Sequence, residues 1–302
     1  MNAPLHGLSE KVRAFEPAER FGRVTLISSA WLEADGPEAA VGSLCAVQQA
    51  GGDIPATVVS IDHRRVVLAP LERVAGLRLG SRVRLVGSAI RPLVGDGFLG
   101  RAVDALGRPM DGKGPVRGTP AEEALAPALD RVTPSRQLIT GLRAIDGVTP
   151  LAEGQRIGVF AAPGVGKTTL LGRLAAQVQA DYCVLCLVGE RGREVEALWS
   201  GLAPEARART VMAAATSDEP AAMRAQAVEQ ALALAGAWRA QGRHVLLLLD
   251  SATRYAMALR EIGLAAGGPP TVRAYTPGGF SALPRPVGRW GAGRHGGAGA
   301  PV

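Results

Sequence analysis

Lysine and aromatic residues are both scarce in this chain of 302 residues. Lysine and arginine together number 34, yet only Lys11, Lys113 and Lys167 are lysines, and aromatic side chains make up 4% of the sequence. The formal net charge of +7 by itself suggests an anionic partner, such as a nucleic acid or a membrane surface. The charge is diffuse, however, and no basic run is interleaved with stacking residues. We therefore interpret it as a solvated arginine-rich surface and expect no direct nucleic-acid function.

Cysteine, histidine and long apolar runs are also few. Three cysteines are typical of a reducing compartment, and the four histidines have no metal-ligand spacing. Cys183 and Cys186 form a C-x-x-C string, but on a strand these positions point to opposite faces and cannot share a metal or a disulfide. The longest apolar strings, Tyr182 to Val188 and Val245 to Leu249, are too short to span a bilayer, and the N-terminus has no secretory segment. These absences indicate a cytosolic protein. The length of 302 residues favours one large domain or two ordinary ones.

The most informative stretch runs from Gln155 to Leu171 and reads QRIGVFAAPGVGKTTLL. Arg156 to Phe160 is rich in branched apolar side chains and predicts a buried strand, and the leucines that follow Lys167 predict a helix. A strand, a glycine-bearing loop, a lysine, a hydroxyl and a helix in this order are typical of a phosphate-binding loop. The alternative is a chance Gly-Lys-Thr turn before an ordinary helix.

Each residue of such a loop would have its own role in binding a nucleotide. Lys167 would neutralise the terminal phosphates, and Thr168 would hold Mg²⁺. Ala161 replaces the first glycine of the usual pattern, which is harmless only if its φ is negative. The residues expected around the phosphates are Ala162, Pro163, Gly164, Val165, Gly166, Lys167, Thr168 and Thr169.

The chain before this loop shows three patterns. Apolar residues between Leu5 and Phe15 have helical spacing, which predicts a short surface turn or a helix that touches a partner or a membrane. The Gly/Pro-rich stretch from Phe98 to Pro115 predicts only a loop. Between these two regions, short β segments separated by turn residues indicate a small antiparallel barrel. The segments are Arg23 to Leu32, Val41 to Gln48, Ile54 to Ile61, Val66 to Ala69 and Arg82 to Val86.

After the loop, predicted strands and helices alternate, which implies a largely parallel sheet with helices on both faces. The predicted elements are strands at Tyr182 to Val188, Thr210 to Ala214 and Val245 to Leu249, a long helix between Pro220 and Gly242, and a helix at Ala252 to Ala266. In such a sheet the carboxyl ends of the strands share one edge, where ligands bind.

Three predicted strand ends carry candidate chemistry: the first ends in the phosphate loop, the second in Gly189-Glu190-Arg191 and the third in Asp250. Asp250 fits the carboxylate that holds Mg²⁺ alongside Thr168, with a helix N-cap as the alternative. Glu190 is the candidate for polarising an attacking water, with a surface carboxylate paired to a nearby arginine as the alternative. Arg191 could supply positive charge to the transferred phosphoryl group from within the same subunit, whereas no residue is identifiable as an arginine acting in trans.

These residues together resemble the ATPases of type III protein export, the flagellar and injectisome enzymes related to the catalytic subunits of rotary ATP synthases. The matching strings are GRAVDALGRPMDGKGPV, TGLRAIDGV, EGQRIGVFAAPGVGKTTLLG, LVGERGREV, ATSDEPAAMR and LLLLDSATRYAMALREIGLAAG. The resemblance implies an α/β fold, with a RecA-like P-loop NTPase core whose parallel sheet is incomplete, preceded by a small antiparallel β-barrel domain. It also implies that Lys167 and Thr168 bind phosphate and Mg²⁺, that Glu190 is the catalytic carboxylate, that Arg191 contacts the γ-phosphate and that Asp250 is the second carboxylate. Members of the family tolerate alanine at the position of Ala161.

The resemblance covers about residues 22 to 285 and then stops. Family members continue, and the missing region holds a sheet strand, an adenine-pocket aromatic residue and the trans arginine. We therefore expect a C-terminally truncated chain, from a frameshift or a gene fragment, with weak nucleotide binding and little turnover. The expected organisation is an N-terminal segment (1–21), a β-barrel domain (22–89), a RecA-like ATP-binding domain (90–285) and a Gly/Arg-rich tail (286–302).

For the intact relatives, the resemblance implies an ATP-hydrolysing subunit that energises substrate unfolding, chaperone release and export. The implied partners are further copies in a homo-oligomeric ring, most simply a hexamer, together with export-apparatus proteins, secretion substrates and chaperones. The implied location is cytoplasmic and peripheral at the inner membrane. ATP is favoured over GTP because the sequence has no Asn-Lys-x-Asp string. The alternatives are an ATP synthase or ring-helicase subunit, or a non-catalytic nucleotide-binding remnant.

Overall fold

The computed structural model describes residues 20–63, 65–122, 133–162, 164–271, 275–283 and 299–301. By their contacts the described residues form two units, one ending at Ile90 and the other comprising Leu71–Arg73 and the residues from Arg91 onward. The predicted helical stretch between Leu5 and Phe15 lies outside the described residues, as does Pro163 of the phosphate loop. A search of the described residues finds no helix with the length and apolar character needed to cross a membrane.

The first unit is a closed antiparallel barrel of six strands, which confirms the predicted barrel. The strands are β1 (Phe21–Ile27), β2 (Leu32–Ala34), β3 (Leu44–Val47), β4 (Ile54–Asp62), β5 (Arg65–Pro70) and β6 (Arg82–Gly87), in the order β1-β2-β5-β4-β3-β6. β6 pairs back onto β1, so each strand has a neighbour on both sides and no edge is left open. Alternate side chains fill the interior, among them Val24, Leu32, Ala34, Cys45, Val47, Ile54, Ala56, Val58, Val66, Leu68 and Val83. The predicted segment from Arg23 to Leu32 is in fact two strands, because the chain reverses where the Ser28 N–H donates to the Trp31 carbonyl at 2.9 Å.

The second unit mixes helices with short and long strands. Its elements in chain order are β7 (Leu93–Val94), a 3₁₀ turn (Asp96–Phe98), β8 (Ala102–Val103), β9 (Thr119–Pro120), β10 (Gln137–Leu138), α1 (Arg143–Val148), β11 (Leu151–Ala152), α2 (Lys167–Gln177), β12 (Tyr182–Glu190), α3 (Gly192–Ser200), α4 (Pro204–Ala208), β13 (Thr210–Thr216), α5 (Ala221–Ala240), β14 (Val245–Asp250), α6 (Ala252–Ala265), α7 (Pro277–Ala282) and β15 (Gly299–Pro301).

A parallel five-stranded sheet in the order β15-β14-β12-β13-β8 forms the centre of this unit. Helices cover both faces, as the alternation predicted. Cys183 belongs to a core cluster with Leu171 and Leu174 of α2, whereas the Cys186 thiol lies 3.6 Å from the Ala227 carbonyl of α5. The two cysteines therefore face opposite sides of β12, and burial raises the pKa of the Cys183 thiol to about 12. β15 pairs with β14 over Val245 to Leu247, so the last residues of the predicted tail add a strand to the sheet rather than lying outside it.

The strand predicted at Arg156 to Phe160 is wrong for this structure. Residues 155–162 lie outside every described sheet, and the side chains of Val159 and Phe160 are 38% and 97% exposed. An apolar sequence becomes a strand only where a neighbouring strand takes its backbone N–H and C=O groups. The outer side of β14 pairs instead with β15, and no described strand pairs with Arg156 to Phe160.

The glycine-rich connector, predicted to be only a loop, also carries structure. It contributes β8, the edge strand beside β13, and its turns are closed by a buried ion pair between Arg101 and Asp111. The Arg101 Nε and Nη2 atoms donate to the two Asp111 oxygens at 2.7 and 2.9 Å. The hydrogen bond from Arg101 lowers the pKa of Asp111 to about 2. The sequence pattern missed this element because two strand residues give no periodicity.

Candidate functional site

The candidate phosphate loop is an exposed turn that leads directly into α2. Gly164 and Gly166 have φ values of +80° and +98°, a region that side chains avoid, and a Cβ at either position would find no atom from elsewhere in the chain within 4 Å. Among the described residues, His63 is the one non-glycine residue with a positive φ. The φ of Ala161 is therefore negative, so alanine replaces the usual glycine there without backbone strain. The turn therefore leaves open space in front of the helix.

The N-terminus of α2 faces this space with the backbone N–H groups of its first turn. Gly166 occupies the N-cap position, and no described side chain accepts from the first turn. The first backbone N–H groups of a helix have no partner within it, so those of Lys167, Thr168 and Thr169 are available to a ligand. The side chains of both threonines are exposed. This arrangement can receive an anion with hydrogen bonds and a favourable helix dipole.

Lys167 links this helix to the end of β14. Its Nζ atom donates to the Asp250 Oδ1 atom at 2.5 Å. The lysine side chain is 33% exposed, whereas that of Asp250 is 3% exposed, so the carboxylate charge is buried and is balanced by the ammonium group. Two residues that stand 83 positions apart in sequence thus meet at one edge of the sheet.

Glu190 lies at the same edge, at the end of β12. The parallel pairing sets Leu187 opposite Asp250, so Glu190 lies three residues further along the strand direction, or roughly 10 Å. Its Oε1 atom is 3.1 Å from the Nε atom of Arg254 in the first turn of α6, and its side chain is 13% exposed. The site therefore contains two acid–base pairs, Lys167 with Asp250 and Arg254 with Glu190.

The environment of Glu190 disfavours its charged form. Burial is the largest cause that raises its pKa, followed by a hydrogen bond with Glu194, and the charges of Asp250 and Glu194 act in the same direction. Arg254 opposes them by lowering the pKa. A carboxylate with a raised pKa at an accessible strand end can accept a proton more readily than an ordinary glutamate.

Two arginines near the end of β12, Arg191 and Arg254, have different surroundings. Arg191 occupies the N-cap position of α3 with an exposed side chain, and in the described part of the chain no hydrogen bond or ion pair joins that side chain to Lys167, Glu190 or Asp250. Arg254, which the sequence analysis did not single out, is the arginine in contact with Glu190. The signal that could have found it is its place four residues after Asp250, because the first turn of a helix returns to the strand end from which it starts. Gly189 makes room for it, since a Cβ there would lie 2.9 Å from the Arg254 Cδ atom.

Comparison with known proteins gives this site a family context. Residues 141–300, more than half of the chain, match the model of the ATP synthase alpha/beta family, nucleotide-binding domain. The chain is 42% identical to the flagellum-specific ATP synthase of Bacillus subtilis over 285 residues, which cover 92% of this chain and 65% of that protein. It is 43% identical to the SPI-2 type 3 secretion system ATPase of Salmonella typhimurium over 280 residues, covering 92% and 64% of the two chains.

Solved structures agree with the sequence relatives. The assembled ATPase EscN from the type III secretion system of enteropathogenic E. coli superposes with a TM-score of 0.86 at 37% identity, covering 93% of this chain and 68% of that chain. The chain thus spans about two thirds of the length of these proteins. The described barrel and the parallel sheet with its helices fit the same relationship. This chain belongs to the ATP synthase alpha/beta family and, within it, to the flagellar and type 3 secretion ATPases.

Proposed function

We propose that this chain binds ATP together with Mg²⁺ at the carboxyl edge of its parallel sheet, as the nucleotide-hydrolysing subunit of a type III protein export apparatus. The observation that carries the proposal is the contact between Lys167 and Asp250, which joins the phosphate loop to a buried strand-end carboxylate. Glu190 lies at the same edge in an environment that raises its pKa. A cation for phosphate, a carboxylate for a metal and a base are the minimal parts of a phosphoryl-transfer site.

The residues of the loop fit the triphosphate of a nucleotide. The N–H groups at the start of α2 would donate to phosphate oxygens, and Lys167 would turn from Asp250 towards the terminal phosphates. Thr168 and Asp250 offer a hydroxyl and a carboxylate oxygen, the hard ligands that Mg²⁺ prefers. The bound metal would neutralise charge on the phosphate oxygens. Ala162, Pro163, Gly164, Val165 and Thr169 would line the phosphates through their backbone.

The proposed catalytic step rests on Glu190. Its carboxylate would accept a hydrogen bond from the attacking water and orient it towards the γ-phosphate. The ion pair with Arg254 would hold that carboxylate at the strand end, so we assign Arg254 a positioning role. Arg191 is exposed beside Glu190 and would approach the γ-phosphate only when the nucleotide is bound.

We also propose that the chain works as part of a homo-oligomer, with a hexameric ring as the specific form. Support comes from the matching solved structures, which are those of the assembled ATPase EscN and of EscN in complex with its central stalk EscO. A neighbouring copy would supply the arginine that stabilises the transferred phosphoryl group. Export substrates and chaperones would be the further partners, at a cytoplasmic machine docked peripherally on the inner membrane, in a flagellar or an injectisome system.

The direct test is nucleotide binding by a Lys167→Ala variant. Loss of the lysine should weaken binding of a fluorescent ATP analogue about 10- to 100-fold, since a hydrogen bond to a charged group contributes roughly 1.5–3 kcal/mol. Lys113→Ala is the matched control, because Lys113 is exposed and its Nζ atom contacts only the Gly100 carbonyl, at 3.4 Å, among the described residues. Equal affinity of both variants and the wild type would rule out the proposed site.

A second candidate function is nucleotide binding without turnover. It is favoured by one observation, the position of residues 155–162 outside every described sheet, with Val159 and Phe160 exposed, so that no described strand leads into the phosphate loop. Steady-state phosphate release separates the two functions. A chain that binds ATP and loses that binding in Lys167→Ala, yet releases no phosphate above background, would be a binding subunit rather than an ATPase.

A further inference from the structure

Arg209 lies at the opposite end of α2 from the phosphate loop. Its guanidinium group donates to four backbone carbonyls: Nη1 to Val178 at 3.0 Å and Ala180 at 2.8 Å, and Nη2 to Ala175 at 3.2 Å and Ala176 at 2.9 Å. Two of these carbonyls belong to the last turn of α2, and the other two lie just beyond it. In the described part of the chain Arg209 forms no ion pair with a carboxylate, so the negative end of the helix provides its counter-charge.

This cap matters because α2 has few other anchors. Residues 155–162, which lead into the helix, belong to no described sheet. At its N-terminus the helix is attached through Lys167 to Asp250, and along its length through the buried side chains of Leu171, Leu174 and Ala175. Interdigitated apolar side chains hold the helix against the sheet, and hydrogen bonds with defined directions add a further constraint on its position along the axis. A fork of four directional hydrogen bonds at one end fixes the axial position.

Arg209 is itself held by the sheet. It immediately precedes β13, and its carbonyl accepts from the Cys183 N–H at 2.9 Å, at the start of β12. The guanidinium group therefore transmits the position of two central strands to the C-terminus of α2. A helix of 11 residues is rigid over its length of roughly 16 Å. The position of the C-terminus of α2 along the helix axis therefore also sets the position of its first turn.

We propose that Arg209 is a positioning residue for nucleotide binding. It fixes α2 along its axis so that Lys167, Thr168 and the N–H groups of the first turn lie level with Asp250. The proposal rests on the proposed nucleotide-binding function of the loop. Arg209 touches no ligand itself and acts through the axial position of the helix. Its loss should weaken nucleotide binding even where the chain stays folded.

The experiment compares Arg209→Gln and Arg209→Lys with a matched control, Arg207→Gln. Arg207 donates in the same way to the carbonyls of Ser200 and Leu202, at 3.0 and 2.9 Å, but it caps α3. The group at the start of α3 that is proposed to contact phosphate is Arg191, and its target is the γ-phosphate, which an ADP analogue lacks. Affinity for a fluorescent ADP analogue with Mg²⁺ is measured well below the lowest melting temperature of the set. Hydrogen exchange of three amides that are hydrogen-bonded within the first turns of α2, those of Leu170, Leu171 and Gly172, is followed without nucleotide.

For Arg209→Gln we expect a Kd about tenfold higher, the lower end of what removing an orienting contact produces at metal sites. Arg209→Lys should give a smaller rise, since an ammonium group keeps the charge but reaches fewer carbonyls, and Arg207→Gln should stay within about twofold of the wild type. Faster exchange at the three amides should accompany the loss in Arg209→Gln alone.

Two results would overturn the proposal. One is an Arg209→Gln variant that melts at a lower temperature yet keeps the wild-type Kd and exchange rates, since the cap would then be structural only. The other is an equal loss of affinity in Arg207→Gln. If Arg209→Gln does not fold, the same measurements on Arg209→Lys test the proposal. A wild-type chain that binds no nucleotide would end the proposed function instead, and the exchange rates of the three amides would still test the role of Arg209.

Discussion

Similar apolar segments of this chain form paired strands in the barrel but not next to the parallel sheet. In the barrel, Val66 and Leu68 on β5 find partners on both sides, in strands within about 40 residues of chain. Beside the parallel sheet, Ile157, Val159 and Phe160 have the same kind of sequence but pair with no described strand, and Phe160 is almost fully exposed. A closed barrel supplies its own partners, whereas a strand of a parallel sheet depends on a neighbour that arrives from far away in sequence. The difference shows that apolar pattern is necessary for a strand but not sufficient.

The largest expected effect concerns the ion pairs of the two units. Asp111→Asn should destabilise the nucleotide-binding unit by about 3 kcal/mol, because the buried Arg101 loses its charged partner and is left with neutral acceptors such as the Gly114 carbonyl at 2.6 Å. The matched variant in the barrel is Asp53→Asn, which breaks the exposed pair with Arg84 at 2.7 Å and should cost only about 0–1 kcal/mol. Hydrogen exchange followed by mass spectrometry, resolved by region, measures each unit separately.

The pH dependence sharpens the comparison of the ion pairs. The pKa of Asp111 is lowered to about 2, so the stability that its ionised form contributes is present at neutral pH and is lost as the pH falls from about 4 towards 2. The wild type and Asp111→Asn should therefore converge in acid. A constant difference between them down to pH 2 would mean that the hydrogen-bond geometry, rather than the charge, is what the variant removes.

The next effect concerns apolar side chains. Leu68→Ala should destabilise the barrel by about 3 kcal/mol, because Leu68 is fully buried and the truncation leaves a cavity. Phe160→Ser removes a larger side chain, yet it should change the stability of the nucleotide-binding unit by less than about 0.5 kcal/mol. Denaturant unfolding of the two variants provides the measurement. A substantial loss in Phe160→Ser would mean that this segment is packed in solution, and the contrast between the two regions would disappear.

Much of the fold was predictable because it depends on local patterns. Alternation and turn residues identified the barrel strands, and the continuous apolar runs at Tyr182 to Val188 and Val245 to Leu249 identified two central strands of the parallel sheet. The errors arose where structure depends on distant partners. β8 consists of two residues that pair only because β13 lies beside them, whereas residues 156–160 form a ladder with no described strand.

The candidate site was likewise predictable where it depends on the order of elements, and less so where it depends on contacts between distant side chains. Parallel topology alone brings the ends of β12 and β14, and with them Glu190 and Asp250, to one edge. Lys167 meets Asp250 there although the strand predicted before it is absent. Contacts made by side chains on helices were less accessible. The partner of Glu190 is Arg254 rather than the adjacent Arg191, because the first turn of α6 points back to the edge whereas Arg191 begins α3 with its side chain in solvent.

The smallest expected effect tests whether the site is kept at the expense of stability. Burial raises the pKa of Glu190, so the folded chain favours its protonated form, and ionisation of this group opposes folding once the pH exceeds the usual glutamate range. Glu190→Gln removes the charge but keeps an oxygen that can accept from Arg254. The variant should thus be slightly more stable than the wild type at pH 7, by about 0.5 kcal/mol, and equal to it below about pH 4. Melting temperatures of the variant and the wild type across this range measure the difference. If Glu190→Gln is instead less stable at neutral pH, the ion pair with Arg254 outweighs burial, and Glu190 would be held in place by a net favourable contact rather than by the surrounding fold.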